Sequence, residues 1–479
     1  MRYALPLVVD LDGTLIKTDL LFETASRFIT QHFLGVFRLL GWLATGRAQL
    51  KERLAEIVDI DPSTLPYNAE VIDWLREQKR LGRHLILATA SHRILAEAVA
   101  KHLGLFDEVV ASEGRLNIKG REKRDILVKR HGERGYDYVG DSAADLPVWQ
   151  SANQAFVVSA SRGLIKRARA QGNVANVICN GRAPRLRSLA KAMRPHQWVK
   201  NLLVFIPLMS AHQYGDAYAV LHACFAFVVF GLTASSVYIL NDIVDIAHDR
   251  HHPRKQRRPF AAGDLSLALG WMVWPLLLVT AFYLAILFLP LAFVGALGTY
   301  FLFTVAYSLR LKQLAAVDVL TLAGLYTLRI IAGAVAITVS LTFWLLSFSM
   351  FLFLSLAFVK RFSELKAARD NGKHGRLRGR GYVHEDLEIV SSMGVASGYL
   401  SVLVLALYIQ DARTSELYHT PQLIWLACPL MLFWVSRVWL VAHRGWMHDD
   451  PIVFALKDRA SWIVVAGFAT VFGLARVIA

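Results

Sequence analysis

Two sets of carboxylates in this chain are spaced for chemistry. Asp10-Leu11-Asp12-Gly13-Thr14 closes a short apolar stretch near the N-terminus. Asn241-Asp242-Ile243-Val244-Asp245-Ile246-Ala247-His248-Asp249 closes an apolar run long enough to cross a bilayer. Acidic groups placed this way are suited to hold Mg²⁺ against phosphate oxygens. On a continuous helix Asp242, Asp245 and Asp249 recur at i, i+3 and i+7 and share one face. Three like charges there repel unless a metal or another cation bridges them. Plain solvated caps are the alternative, but bases follow the acids, through His251-His252-Pro253-Arg254-Lys255-Gln256-Arg257-Arg258-Pro259. Metal on one side and direct phosphate contacts on the other is what a Mg²⁺-diphosphate site requires.

The elements around the first set alternate. Apolar strands are expected at Leu5–Val9, His84–Ala88, Glu108–Ala111, Tyr136–Val139 and Ala155–Val158, with charge-rich helices between them. That pattern predicts an α/β, Rossmann-like domain with a parallel sheet covered on both faces. Ligands bind such sheets at the carboxyl ends of the strands. Asp10, Asp12, Thr89, Asp141 and Asp145 all fall there. Between about residues 16 and 75 an insertion reads as a helical cap. Its stretch Phe33–Leu43 is apolar, and packing against the core is weighed against lying on a bilayer as an interfacial helix. Tyr3 to Asp10 reads as a buried strand rather than a signal peptide.

The order DxDGT, Thr, Lys, GDxxxD over residues 1–180 resembles the haloacid-dehalogenase-like (HAD) phosphatases. The resemblance implies Asp10 as a carboxylate nucleophile that forms an aspartyl-phosphate. Asp12 would be the acid and base, and Thr89 and Lys123 would hold phosphoryl oxygens. One Mg²⁺ would be held by Asp10, the Asp12 carbonyl and Asp141, with Asp145 in support. Lys119 and Arg121 lie close enough in sequence to compete with Lys123 for that role.

The second half is of another kind. The chain has 479 residues, 55% hydrophobic and 19% charged, with a formal net charge of +16. After a basic juxtamembrane linker at 181–197, apolar runs of membrane length fill 198–479. Nine spans are expected, near 199–212, 218–241, 267–288, 291–308, 315–338, 341–359, 392–410, 422–442 and 461–478. Lys and Arg crowd into alternate loops, at Arg250–Arg258, Arg310–Lys312, Arg361–Arg380 and Arg444–Arg459. The positive-inside rule puts those loops, the N-terminal domain and both acidic clusters in the cytoplasm, and accounts for the net charge without nucleic acid. Cys179, Cys224 and Cys428 lack metal spacing and are expected to be buried thiols.

This half resembles the UbiA superfamily of intramembrane transferases, an all-α bundle of nine transmembrane helices with an NDxxDxxxD motif after the second. The resemblance implies one or two Mg²⁺ held by Asn241, Asp242, Asp245 and Asp249, with Asp242 and Asp245 catalytic. A second site would centre on Tyr307, Lys312 and Asp318, departing from the family's DxxxD form. The segments around Lys200-Asn201, Lys255 with Arg258, Lys360-Arg361 and Asp450–Asp458 further resemble the polyprenyl-phosphate phosphoribosyltransferases. That branch implies transfer of 5-phosphoribose from phosphoribosyl diphosphate to a polyprenyl phosphate in a bacterial inner membrane. Lys200, Asn201, Lys255, Arg258, Lys360 and Arg361 would contact substrate, and the basic ones are expected to converge over Asp242 and Asp245. Two other functions fit the same motifs: an aromatic (for example 4-hydroxybenzoate) prenyltransferase with an accessory phosphatase, and a membrane-tethered phosphatase whose helical half only binds lipid. A homo-oligomer stays open.

Overall fold

The computed structural model describes residues 5–478 apart from 33–34, 115–116, 160, 180, 371, 373–374, 376–378, 412–416 and 448–449. Part of the basic Arg361–Arg380 loop therefore lies outside the described residues. The chain divides into two compact units. One is Met1–Met193 with Tyr238–Pro275, and the other is Arg194–Val237 with Leu276–Ala479.

The first unit is built on six parallel strands: β1 (Leu7–Val9), β2 (Leu85–His92), β3 (Glu108–Ser112), β4 (Asp137–Gly140), β5 (Ala155–Val158) and β6 (Val174–Ile178). Their order is β3-β2-β1-β4-β5-β6. Side chains alternate across the sheet, so neighbouring residues feed two cores. Leu7, Val9, Leu85 and Leu87 pack on the cap side, while Val8, Ile86, Tyr138 and Trp149 pack on the other. β1 is central, between β2 and β4, so Asp10 and Asp141 leave adjacent strands at the same edge. β2 runs further than its sequence suggests and takes in Thr89. Its register with β3 shifts between Thr89 and His92, and such an irregularity re-aims side chains.

The insertion forms three helices, α1 (Leu20–Gln31), α2 (Gly35–Thr45) and α3 (Arg47–Ile57), before α4 (Ala69–Arg80) returns the chain to the sheet. Asp19 caps α1 by accepting a hydrogen bond from the Leu21 N–H. The expected packing of α2 holds for one side only. Gly35 is buried, and Leu39 and Trp42 rest against the core, but Val36, Phe37, Leu40 and Leu43 are exposed.

Eight helices among the described residues are long and apolar enough to cross a membrane: Ala217–Val244, Leu267–Phe288, Leu291–Leu309, Val317–Ala336, Phe343–Asp370, His384–Tyr408, Pro421–His443 and Arg459–Val477. The expected first span differs. Pro195–Phe205 is a 3-10 run followed by the short helix Ile206–Ser210. Pro207 lacks the N–H that would continue the preceding run, which separates the two pieces. In the second unit, close helix contact depends on small residues. A Cβ at Gly394 would meet the Trp439 ring and Phe358, and Ser355 donates to the Gly394 carbonyl at 2.7 Å while accepting from Trp439 Nε1 at 3.1 Å. Of the three thiols only Cys428 is buried; Cys179 and Cys224 are exposed. Cys224 lies on a span, where an outward side chain faces hydrocarbon and burial in protein is not needed.

Candidate functional sites

The edge where β1 and β4 end carries the tightest acidic group among the described residues. Asp10, Asp141 and Asp145 each offer an oxygen within 4.8 Å of the others. Lys123, from the helix Arg121–His131, donates to Asp10 Oδ1 at 2.6 Å and to the Tyr138 hydroxyl at 2.9 Å. Tyr138 in turn donates to Asp145 Oδ1 at 2.8 Å. The other oxygen of Asp145 accepts from the Ser142 N–H and hydroxyl at 3.0 and 2.9 Å. Asp145 is thus held by protein donors and supports the cluster from behind. Asp12 points elsewhere: its carboxylate accepts from the Leu20 N–H at 2.8 Å and the Ser91 hydroxyl at 2.6 Å, with the Thr89 hydroxyl at 3.4 Å. Two carboxylates two residues apart therefore face different surroundings, which is what separate nucleophilic and acid–base duties need.

Electrostatics follow from burial. Desolvation, with Asp145 and Asp12 nearby, pushes the Asp10 carboxyl up to about 7 against the opposing pull of Lys123. Asp12 is pushed up to about 6 by burial and by Asp19, opposed by its bonds from Ser91 and Leu20. Burial and the charges of Asp10 and Asp145 push Asp141 well above the usual carboxylate range. Carboxylates strained in this way are returned to charge by a divalent cation, so the donor set fits one.

The second acidic set, also in the first unit, is arranged differently from its expectation. The helix Ala217–Val244 ends before Asp245, and a short helix, Ile246–Arg250, restarts with Asp245 as its cap. The three Asp residues therefore do not share one straight face. Asp242 and Asp249 are buried and joined by Arg258, whose Nη1 lies 3.2 Å from Asp242 Oδ1 and 2.5 Å from Asp249 Oδ2. Lys255 approaches Asp249 at 4.0 Å. The bridging cation anticipated from like-charge repulsion is, in this structure, a guanidinium. Asn241 and Asp245 are half-buried beside them.

In the second unit the expected basic residues gather on carboxylates of their own. Lys200 and Lys360 both reach Asp450 Oδ2, at 2.8 and 3.2 Å. Arg361, fully buried, pairs with Asp318 at 2.5 Å and with Glu364. Tyr307 donates to Asp318 at 2.9 Å and accepts from Arg361 and Arg380, each at 3.1 Å. Lys312 is half-buried in the turn Leu311–Gln313. Asn201 is buried and accepts from Arg329 Nε at 2.9 Å.

Comparison with known proteins gives these clusters a common frame. The UbiA prenyltransferase family model matches residues 201–457, and a haloacid dehalogenase-like hydrolase model matches 41–150. The chain belongs to the UbiA prenyltransferase family. It is 37% identical over 472 residues to an uncharacterized protein y4nM of Sinorhizobium fredii, covering 98% of this chain and 91% of that one. Both halves therefore recur together. The nodulation protein NoeC of Azorhizobium caulinodans is 36% identical over 58% of this chain and 90% of its own. A decaprenyl-phosphate phosphoribosyltransferase of Mycobacterium tuberculosis is 32% identical over 60% of this chain and 95% of its own.

This UbiA family member also uses residues that sequence reading missed. Arg329 lies in the apolar helix Val317–Ala336, where it donates to Asn201, to the Tyr300 hydroxyl at 2.8 Å and to the Leu325 carbonyl at 2.7 Å. An arginine inside a span is costly enough to flag a role, so the signal was present. Asp450 lies in a segment already noted in the sequence, but its pairing with Lys200 and Lys360 was not anticipated. Ser91 and Tyr138 gave no signal, because only the fold brings them to Asp12 and Lys123.

One glycine in the HAD-like domain is fixed by the site. Gly13 has φ +81, and a Cβ there would collide with the Asp141 carboxylate, 2.6 Å from its Cγ. We expect Gly13→Ala to displace Asp141 and cut hydrolysis of p-nitrophenyl phosphate by roughly 10²-fold or more, while transferase activity persists. Unchanged hydrolysis would show that Asp141 has no part in that site.

Proposed function

We propose that this protein is a bifunctional membrane enzyme. Its UbiA half transfers 5-phosphoribose from phosphoribosyl diphosphate to a polyprenyl phosphate, and its HAD-like domain then removes the ribose 5-phosphate. The observation that carries this is the buried acidic cluster in the same chain, with Asp10 held by Lys123 at 2.6 Å and Asp12 on separate donors. Prenyl transfer to an aromatic acceptor creates no phosphomonoester. Phosphoribosyl transfer creates one, on ribose carbon 5, and its hydrolysis draws the first step forward. The 32% identical relative named for that transfer supports the same choice.

In the first step Asp242 and Asp245, with Asn241 and Asp249, would hold the diphosphate through one or two Mg²⁺. Arg258 and Lys255 would meet its oxygens directly. Lys200, Asn201, Tyr307, Lys312, Asp318, Lys360 and Arg361 serve the remaining phosphates and the groups that orient them. In the second step Asp10 attacks phosphorus, Asp12 protonates the departing ribose oxygen, and Thr89 and Lys123 hold the transferring oxygens. Asp12 then activates the water that frees Asp10. Asp10, the Asp12 carbonyl and Asp141 would hold a Mg²⁺, which would supply charge neutralisation for that phosphoryl group. Tethering raises the effective concentration of the second site.

We place both sites on the cytoplasmic side of a bacterial inner membrane, supported by the Lys and Arg bias of the loops. We keep the short segment near 199–212 as a ninth crossing, because its 3-10 part gains about 2 Å per residue and so covers more of the roughly 30 Å of hydrocarbon than an α-helix of equal length. The test is direct. Purified protein, phosphoribosyl diphosphate, decaprenyl phosphate and Mg²⁺ should yield a lipid whose mass matches ribose without its 5-phosphate. Consumption of an isoprenyl diphosphate and an aromatic acid, with phosphoribosyl diphosphate untouched, would overturn the reading.

A further inference from the structure

The cap carries an apolar surface that neither reaction uses. On α2 the exposed residues Val36, Phe37, Leu40 and Leu43 form one side, with Phe37 69% and Leu40 59% exposed. The opposite side is fixed inward. Trp42 packs at a tilt against Phe28 of α1, with ring centroids 5.2 Å apart, and the Gly35 Cα leaves no room for a side chain against Phe28. The only charged residue in α2 is Arg38. A contiguous patch of large apolar side chains marks a surface that meets something other than water.

What it meets is indicated by α1. Its first residue, Leu20, donates its N–H to Asp12 at 2.8 Å. Two turns on, Ser26 accepts from Trp271 Nε1 at 2.7 Å. Trp271 lies early in the apolar helix Leu267–Phe288, the position where tryptophan marks the membrane–water boundary. Between them Glu23 receives both terminal nitrogens of Arg250, at 2.6 and 3.1 Å, with both side chains nearly buried. Arg250 directly follows the Asp-rich segment that ends the preceding span. α1 is thus a strut that starts beside Asp12, is pinned to the first turns of the apolar helix Leu267–Phe288, and hands on to α2 within four residues.

We infer that α2 is seated in the headgroup layer of the bilayer that this chain crosses, with Val36, Phe37, Leu40 and Leu43 inserted and Arg38 among the phosphates. Such a seat holds the mouth of the HAD-like domain at the lipid surface, and so favours a phosphomonoester carried on a lipid over one in solution.

The test uses full-length protein in nanodiscs of phosphatidylethanolamine and phosphatidylglycerol, with Cys179, Cys224 and Cys428 replaced by Ala. A nitroxide is placed singly at positions 37, 40 and 43, and at 81, where Leu81 is exposed on the same unit. Labels on α2 should collide with oxygen in preference to a nickel chelate, and the label at 81 should do the reverse. Nickel-dominated collisions at 37, 40 and 43 would overturn the seat. So would spin coupling between copies, which would make this face a contact between protomers.

The functional half rests on the proposed phosphatase and is read separately. Leu40→Glu should raise KM for the phosphoribosyl lipid about tenfold at constant kcat and leave p-nitrophenyl phosphate hydrolysis unchanged. An unchanged KM for the lipid overturns that half whatever the spin labels report. If wild type hydrolyses neither substrate, the phosphatase reading fails while the labels still decide the seat.

Discussion

Asp10→Asn is expected to stop phosphate release and leave diphosphate release running, so that a phosphorylated ribosyl lipid accumulates. The substitution keeps the shape of a side chain that is almost wholly buried, yet an amide cannot form the acyl-phosphate that the first half-reaction requires. Removing a covalent nucleophile from a site whose other parts remain costs at least about 10³-fold. Lys123 would keep its bond to Tyr138, so the pocket should hold its form and still bind phosphate. Two measurements separate the alternatives: inorganic phosphate released from the isolated intermediate, and diphosphate released from phosphoribosyl diphosphate. If the variant releases inorganic phosphate at the wild-type rate, Asp10 is not the nucleophile. If diphosphate release also collapses, the two steps are not independent and the proposed order is wrong.

Legibility differed between the two halves for physical reasons. In the soluble half, strand ends carry the chemistry, and the strands themselves are marked by short apolar runs between charged helices. Asp10, Thr89, Asp141 and Asp145 could therefore be assigned to one edge before any coordinates. β6 was not legible, because Val174–Ile178 is a partly exposed edge strand with Asn176 at its centre. Membrane spans were legible from length and apolarity: most of the eight helices follow the expected ranges closely, but Phe343–Asp370 runs well past 359 and His384–Tyr408 starts well before 392. What sequence could not supply is how acids and bases pair. The spacing of Asp242, Asp245 and Asp249 presumes a straight helix, and the helix instead breaks at Asp245. Lys200, Lys360 and Asp450 are far apart in sequence, so only tertiary packing could reveal that one carboxylate serves both ammonium groups. The ion pair of Glu23 with Arg250 is of the same kind, since Arg250 lies in a basic loop noted in the sequence but nothing there points to Glu23, 227 residues away.

That pairing shapes the last expectation, for Asp242→Ala and Asp245→Ala. Asp242 is nearly fully buried at the end of a span, with Arg258 across it. A half-buried guanidinium shared by two buried carboxylates loses one of them when Asp242 is removed, but it keeps Asp249 at 2.5 Å. The variant therefore retains a local ion pair, and what it loses is one of the acidic groups that would neutralise a diphosphate. Such a loss removes both substrate binding and leaving-group activation, and transferase turnover should fall by roughly 10²- to 10³-fold. Asp245 is half-buried at the helix break, and Asp245→Ala removes a carboxylate while leaving Asp242 and Asp249 on Arg258. Both variants should cleave p-nitrophenyl phosphate at the wild-type rate, because Asp10 and its partners are untouched. Raised Mg²⁺ should recover part of the transferase activity in Asp245→Ala if the lost function is metal affinity. Full turnover by both variants at ordinary Mg²⁺ would remove this cluster from the reaction.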